Sequence, residues 1–146
     1  MSVLISNSQT RLEINLEKIR KTAQAVLNAL ACPDDELSIL IVDDPQIEKL
    51  NQQHLNRTGP TNVIAFAMHE GEFPDLSPHL LGDVVISTDT AASEAQTAAI
   101  SMEQRFDELL AHGILHLMGY DHETSEEEAR LMENKSREIL ALLYDD

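Results

Sequence analysis

The sequence predicts one compact α/β (α+β) domain over residues 1–146, with a small mixed β-sheet packed against about five helices. Three observations predict it. Short β-branched apolar runs alternate with stretches of helical periodicity. No internal repeat, low-complexity tract or long linker divides them. A chain of 146 residues, 42% of them apolar, is long enough to bury a core without disulfides.

From the N-terminus, "VLI" (3–5) with "RLEI" (11–14) offers a peripheral strand. Over 15–30, Leu16, Ile19, Ala23, Val26, Leu27 and Leu30 recur at helical spacing on one face, and Pro33 with Asp34 and Asp35 ends the pattern. "LSILIV" (37–42) reads as a buried strand. "DDPQIEKLNQQH" (43–54) predicts a helix beginning at Pro45 behind an aspartate cap. "NVIAFAM" (62–68) and "GDVVIS" (82–87) are the next two buried strands, and "HEGEFPDLSPHL" between them reads as an exposed loop. From Thr88 onward the pattern turns helical, through "TAASEAQTAA" and then from about Met102 to Met118. A last helix opens at Ser125, which forms a capping box with Glu128, and buries Ala129, Met132, Ile139, Leu140 and Leu143. The connections 43–61 and 69–81 allow both parallel and antiparallel pairs, and the pattern does not order the strands.

Composition narrows the function. No apolar run approaches the ~20 residues of a membrane span, and "MSVLISNSQT" lacks the basic and apolar regions of a signal peptide. The single cysteine, Cys32, can form no internal disulfide. A cytoplasmic protein with no membrane partner is expected. Ten basic against 26 acidic residues leave a formal charge of −16, which opposes non-specific attraction to polyphosphate. DNA is therefore not an expected partner, and RNA would need a local patch, a metal or the help of a partner. Lys18, Arg20 and Lys21 cluster as a solvated helix face, and Arg57 stands alone in a polar loop.

"HGILHLMGYDH" (112–122) carries the chemistry. His112, His116 and His122 fit H-x-x-x-H-x-x-G-x-x-H, the metzincin metal-binding spacing, with Gly119 at the glycine. Residues four apart on a helix lie about 40° from each other around its axis, so His112 and His116 can face one ion. Gly119 permits the left-handed turn that returns His122 to it. Three imidazoles leave the fourth position of a Zn2+ open, the catalytic arrangement. Where peptidases carry a glutamate base, this chain has Gly113. A mid-helix glycine costs roughly 1 kcal/mol against alanine, and the expected gain is room for a bulky polymeric substrate. Asp121 reads equally as an acceptor that orients an imidazole or as a turn residue.

Residues 112–122 match every fixed position of H-G-x-L-H-L-x-G-Y-D-H, and the chain thereby resembles the YbeY family of bacterial rRNA maturation factors and single-strand-specific endoribonucleases. "PTNVIAF" (60–66) resembles that family's P-T-[DN]-V-L-S-F, "LLGDVVI" (80–86) its L-G-D-[IV]-x-I, and "LN" (50–51) a further match. The resemblance implies a single α/β domain, one zinc ion on His112, His116 and His122, and hydrolysis of phosphodiester bonds in single-stranded RNA. It further implies processing of the 3′ end of small-subunit rRNA, ribosome quality control, and the small ribosomal subunit or its proteins as partners. Leu55 occupies the position of a functional arginine in the family, and Arg57, two residues later, is the candidate catalytic replacement. Ala65 and Ala67 stand where the family usually has Ser and Pro. His54 and Asp83 are candidate bases. Two other readings compete with a nuclease: a metallopeptidase, against which the missing glutamate argues, and a non-catalytic, metal-stabilised ribosome assembly factor, which the acidic charge favours.

Overall fold

A computed structural model describes residues 3–67, 80–120 and 125–144. In chain order they form β1 (Val3–Asn7), α1 (Leu16–Ala29), β2 (Glu36–Val42), α2 (Asp44–Leu55), β3 (Val63–Ala67), β4 (Leu80–Ser87), α3 (Thr88–Ala98), α4 (Met102–Leu117) and α5 (Glu126–Tyr144). The helices start where side chains can satisfy orphan amides. Asn15 accepts from Lys18 N at 3.1 Å, and Ser125 Oγ from Glu128 N at 3.1 Å. Asp43 and Gln46 exchange both bonds of a capping box, so α2 begins at Asp44, one residue before the proline.

The sheet order is β1-β2-β4-β3. β1, β2 and β4 are parallel, and the edge strand β3 runs antiparallel to β4. β4 begins at Leu80, earlier than the predicted Gly82, because Leu80 pairs with Glu36 and Gly82 with Leu37, leaving Leu81 as the extra residue at a register shift. "RLEI" is not a strand. The buried Gln9 accepts from the amides of Arg11 and Leu12 at 3.0 Å each and donates to Leu12 O, folding the segment into a turn.

Strand alternation divides the core. Leu37, Ile39 and Ile41 of β2 join Val84 and Ile86 of β4 beneath α1, α4 and α5, meeting Val26, Leu27, Leu110, Ile114 and Ile139. Each such full burial contributes roughly 1.5–3 kcal/mol. On the opposite face α2 covers a smaller cluster of Val42, Ile47, Ile64 and Val85, flanked by Leu50 and Phe66.

Two glycines let α4 lie close on the sheet. Gly82 has φ +143, and a Cβ there would sit 2.1 Å from Phe66 O and 3.0 Å from Leu117 Cδ2. At Gly113 a Cβ would sit 2.7 Å from Val84 Cγ1 and 3.3 Å from Val63 Cγ2. The space at Gly113 is therefore occupied by the sheet. It is not an approach for substrate, and the position where peptidases keep a glutamate has no room for one.

Candidate histidine site

α4 is capped by Ser101, whose side chain accepts from Gln104 N, and its apolar positions dictate its orientation. With Gly113 facing the sheet, Leu110, Ile114 and Leu117 turn to one side and are buried. His112 and His116 fall about 100° and 60° to the other side on a helical wheel, toward β3, and both are half-buried. Their ring centroids are 6.3 Å apart with planes at 86°. Two imidazoles sharing a tetrahedral ion through bonds of about 2 Å have centroids about 5 Å apart. The pair thus fits a common ion once the rings close by about 1 Å, a rotamer adjustment for half-exposed side chains. His122 and Asp121 lie outside the described residues. Among the described residues, no three His, Cys, Asp or Glu side chains gather closely enough to hold a metal.

A cleft of about 460 Å³ opens beside His112, bordered by Asn62, Arg105, Glu108, Met132 and Arg137. One wall is a hydrogen-bonded network. Asn62, just ahead of β3, donates through Nδ2 to both oxygens of Glu94 at 3.2 Å and accepts from Val63 N at 2.7 Å. Arg105 of α4 donates through Nε and Nη2 to Glu94 Oε1 at 3.0 and 2.9 Å, and through Nη1 to Glu108 at 2.9 Å. Burial pulls the guanidinium pKa down, but the bonds to Glu108 and Glu94 outweigh it, and the net shift is upward. Arg105 stays charged.

Arg57 is exposed on the loop joining α2 to β3. That loop is pinned by Asn51, a buried side chain whose Nδ2 donates to Gly59 O at 3.0 Å, and it ends at Asn62 on the cleft. His54 and Asp83 are placed elsewhere. His54 packs edge-on against Phe66 at 5.5 Å, and both line a basin with Asp83 and Val85 on the α2 face of the sheet. The histidine helix covers the other face, so neither candidate base is brought to His112. Ala65 and Ala67 pack toward the main core under α4. Lys18 and Arg20 pair with Glu103 and Glu17 on a solvated surface, as expected.

The other end of α4 is tied to the last helix. Tyr144 Oη donates to Asp107 Oδ2 at 2.7 Å. Burial raises the Asp107 pKa, only partly opposed by the Tyr144 bond. Burial and the Asp107 contact raise that of Tyr144. The sequence reading assigned no role to Glu94, Arg105 or Asp107, because their partners lie in other elements and no local spacing signals them.

These features define a small mixed-sheet α/β domain with a paired-histidine helix laid beside an antiparallel edge strand. The same fold occurs in the solution structure of TM1509 from Thermotoga maritima, with a TM-score of 0.66, 22% identity, and coverage of 95% of this chain and 87% of that one. The family model described as "Endoribonuclease YbeY" matches residues 4–144, and the chain belongs to the YbeY family. Relatives named "Endoribonuclease YbeY" include one from Geobacter sulfurreducens, 54% identical over 98% of this chain and 96% of its own length. Another, from Aquifex aeolicus, is 42% identical over 87% of this chain and 80% of its own. The family is thus one of enzymes named as endoribonucleases, hydrolases of RNA phosphodiester bonds. No helix among the described residues is long and apolar enough to cross a membrane.

Proposed function

We propose that this chain is a zinc-dependent, single-strand-specific endoribonuclease that matures the 3′ end of small-subunit rRNA and takes part in ribosome quality control in the cytoplasm. The observation that carries the reading is the pair of imidazoles on one flank of α4, beside a cleft, in a chain of this family. His112, His116 and His122 would hold one ion, which when bound supplies Lewis acidity toward a phosphoryl oxygen and toward water. The chain's own groups do the rest. The backbone ahead of β3 borders the RNA strand, and Arg57 on that loop supplies a fixed positive charge for the phosphoryl oxygens as they gain charge.

A peptidase reading loses support, because the valines around Gly113 exclude the glutamate it needs. A non-catalytic assembly role draws on the charge of −16, which suits basic ribosomal proteins. Cleavage of a single-stranded RNA spanning the rRNA 3′ end separates the two readings. Metal-replete protein is compared with His116→Ala purified identically. The nuclease reading expects a loss of at least ~100-fold in the variant and a smaller loss in Arg57→Ala. Equal cleavage by both proteins, or none by either, leaves the assembly reading, tested next by small-subunit binding.

A further inference from the structure

We propose that Glu94 is a positioning residue that clasps the head of β3, and with it the Arg57 loop, to the histidine helix. Its importance for catalysis rests on the nuclease reading; its grip on the loop does not. The geometry is specific. Glu94 projects from α3, an element that carries no candidate site residue, yet its carboxylate is the shared acceptor for donors from two elements that meet in this wall of the cleft: Asn62 Nδ2 at 3.2 Å and Arg105 Nε and Nη2 at 3.0 and 2.9 Å. Arg105 and His112 lie seven residues apart on α4, about two turns, so both face the same cleft. Asn62 is held in register from three directions, because its carbonyl also accepts from Ser87 N at 3.0 Å and its Oδ1 from Val63 N at 2.7 Å.

Asn51 holds the other end, its Nδ2 donating to Gly59 O and its backbone carbonyl accepting from Arg57 N, and the Glu94 clasp is the contact that joins the loop to the histidine side. The carboxylate is partly shielded, at 37% side-chain exposure, and its partner Arg105 is at 25%, so water competes only in part for these bonds. A glutamine at 94 would leave Arg105 with Glu108 but would weaken the charged link to both donors.

The test exchanges donor and acceptor. Asn62→Asp puts a carboxylate against Glu94 while keeping the acceptor for Val63 N, and Glu94→Gln removes the charge that both Asn62 and Arg105 use. When the two substitutions are combined, the new amide at position 94 can donate to the new carboxylate at position 62, and one negative charge again faces Arg105. Each single variant is expected to lower kcat on the single-stranded RNA about tenfold, with KM changed less than about twofold. Each should also speed exchange of the Val63 and Ser87 amides, which donate to Asn62, about tenfold without deprotecting α4. The double variant should recover both. A double variant no better than the singles, or single variants indistinguishable from wild type in exchange, overturns the clasp. If Glu94→Gln lowers kcat as much in an Arg57→Ala background as in wild type, the clasp does not act through the Arg57 loop and the positioning role falls. If the wild-type chain cuts no RNA, the nuclease reading fails, while the exchange pattern still decides whether Glu94 holds the loop.

Discussion

Replacing Gly113 with alanine sets two opposed effects against each other in one methyl group. In an open helix Gly→Ala stabilises by about 1 kcal/mol. Here the new Cβ would lie 2.7 Å from Val84 Cγ1 and 3.3 Å from Val84 Cγ2 and Val63 Cγ2. Val84 is fully buried and β-branched, its χ1 restricted and its surroundings packed, so it has little room to swing away. Overpacking by a methyl costs about 1–3 kcal/mol. The net effect is a destabilisation of about 1 kcal/mol, or about 2–4 °C in Tm for a chain of this size. Thermal unfolding followed by circular dichroism, with chelator present so that bound metal does not shift the midpoint, measures it. In a Val84→Ala background both Val84 methyls are gone and only Val63 Cγ2 remains, at 3.3 Å, so the same substitution is expected to raise Tm relative to Val84→Ala alone. A Gly113→Ala chain more stable than wild type with Val84 intact would refute the close packing of α4 on the sheet, and with it the account of why the glutamate is absent.

Burial raises the Asp107 pKa in the folded chain, so between the ordinary carboxylate value and that raised value the folded state binds more protons than the unfolded. Stability therefore falls as pH climbs through that window. Asp107→Asn keeps an acceptor for Tyr144 and should flatten this part of the pH dependence, as read from denaturant unfolding as pH climbs from the ordinary carboxylate value of about 4; an unchanged slope would count against the burial argument. Asn51→Ala leaves the Gly59 carbonyl without its side-chain donor and should cost about 1–2 kcal/mol. It should also speed amide exchange in 56–60 while the His112–His116 segment stays protected, and a loop that exchanges as before would show that Asn51 does not anchor it.

Much of this architecture was legible because periodicity and capping are local. The runs at 37–42 and 82–87 and the helical stripes of α1 and α5 are read directly from apolar spacing, and the Asp43 and Ser125 caps from residue type. The strand order was not legible, because β2 and β4 are both apolar and nothing local says which strand lies between which. The expected strand at "RLEI" failed through Gln9, whose side chain satisfies two backbone amides that a ladder would otherwise have claimed. At the site, spacing placed His112 and His116 on one helix flank. The meaning of Gly113 was misread because the sequence does not show which way that position faces. Valines at 63 and 84, one on each of two strands, determine that.

The sheet order also constrains how the chain can assemble as it is synthesised. β1 and β2 can pair as soon as both have emerged, but β3 has no neighbour until β4 inserts between it and β2. A ribosome-bound chain that ends before residue 80 thus carries an unpaired apolar strand. α4, which lies across β3 and β4, follows both in the chain, so its platform is already synthesised when it emerges. The two imidazoles therefore reach a sheet whose strands are all made, and a chain cut between residues 88 and 111 would carry the platform without the histidines it aims.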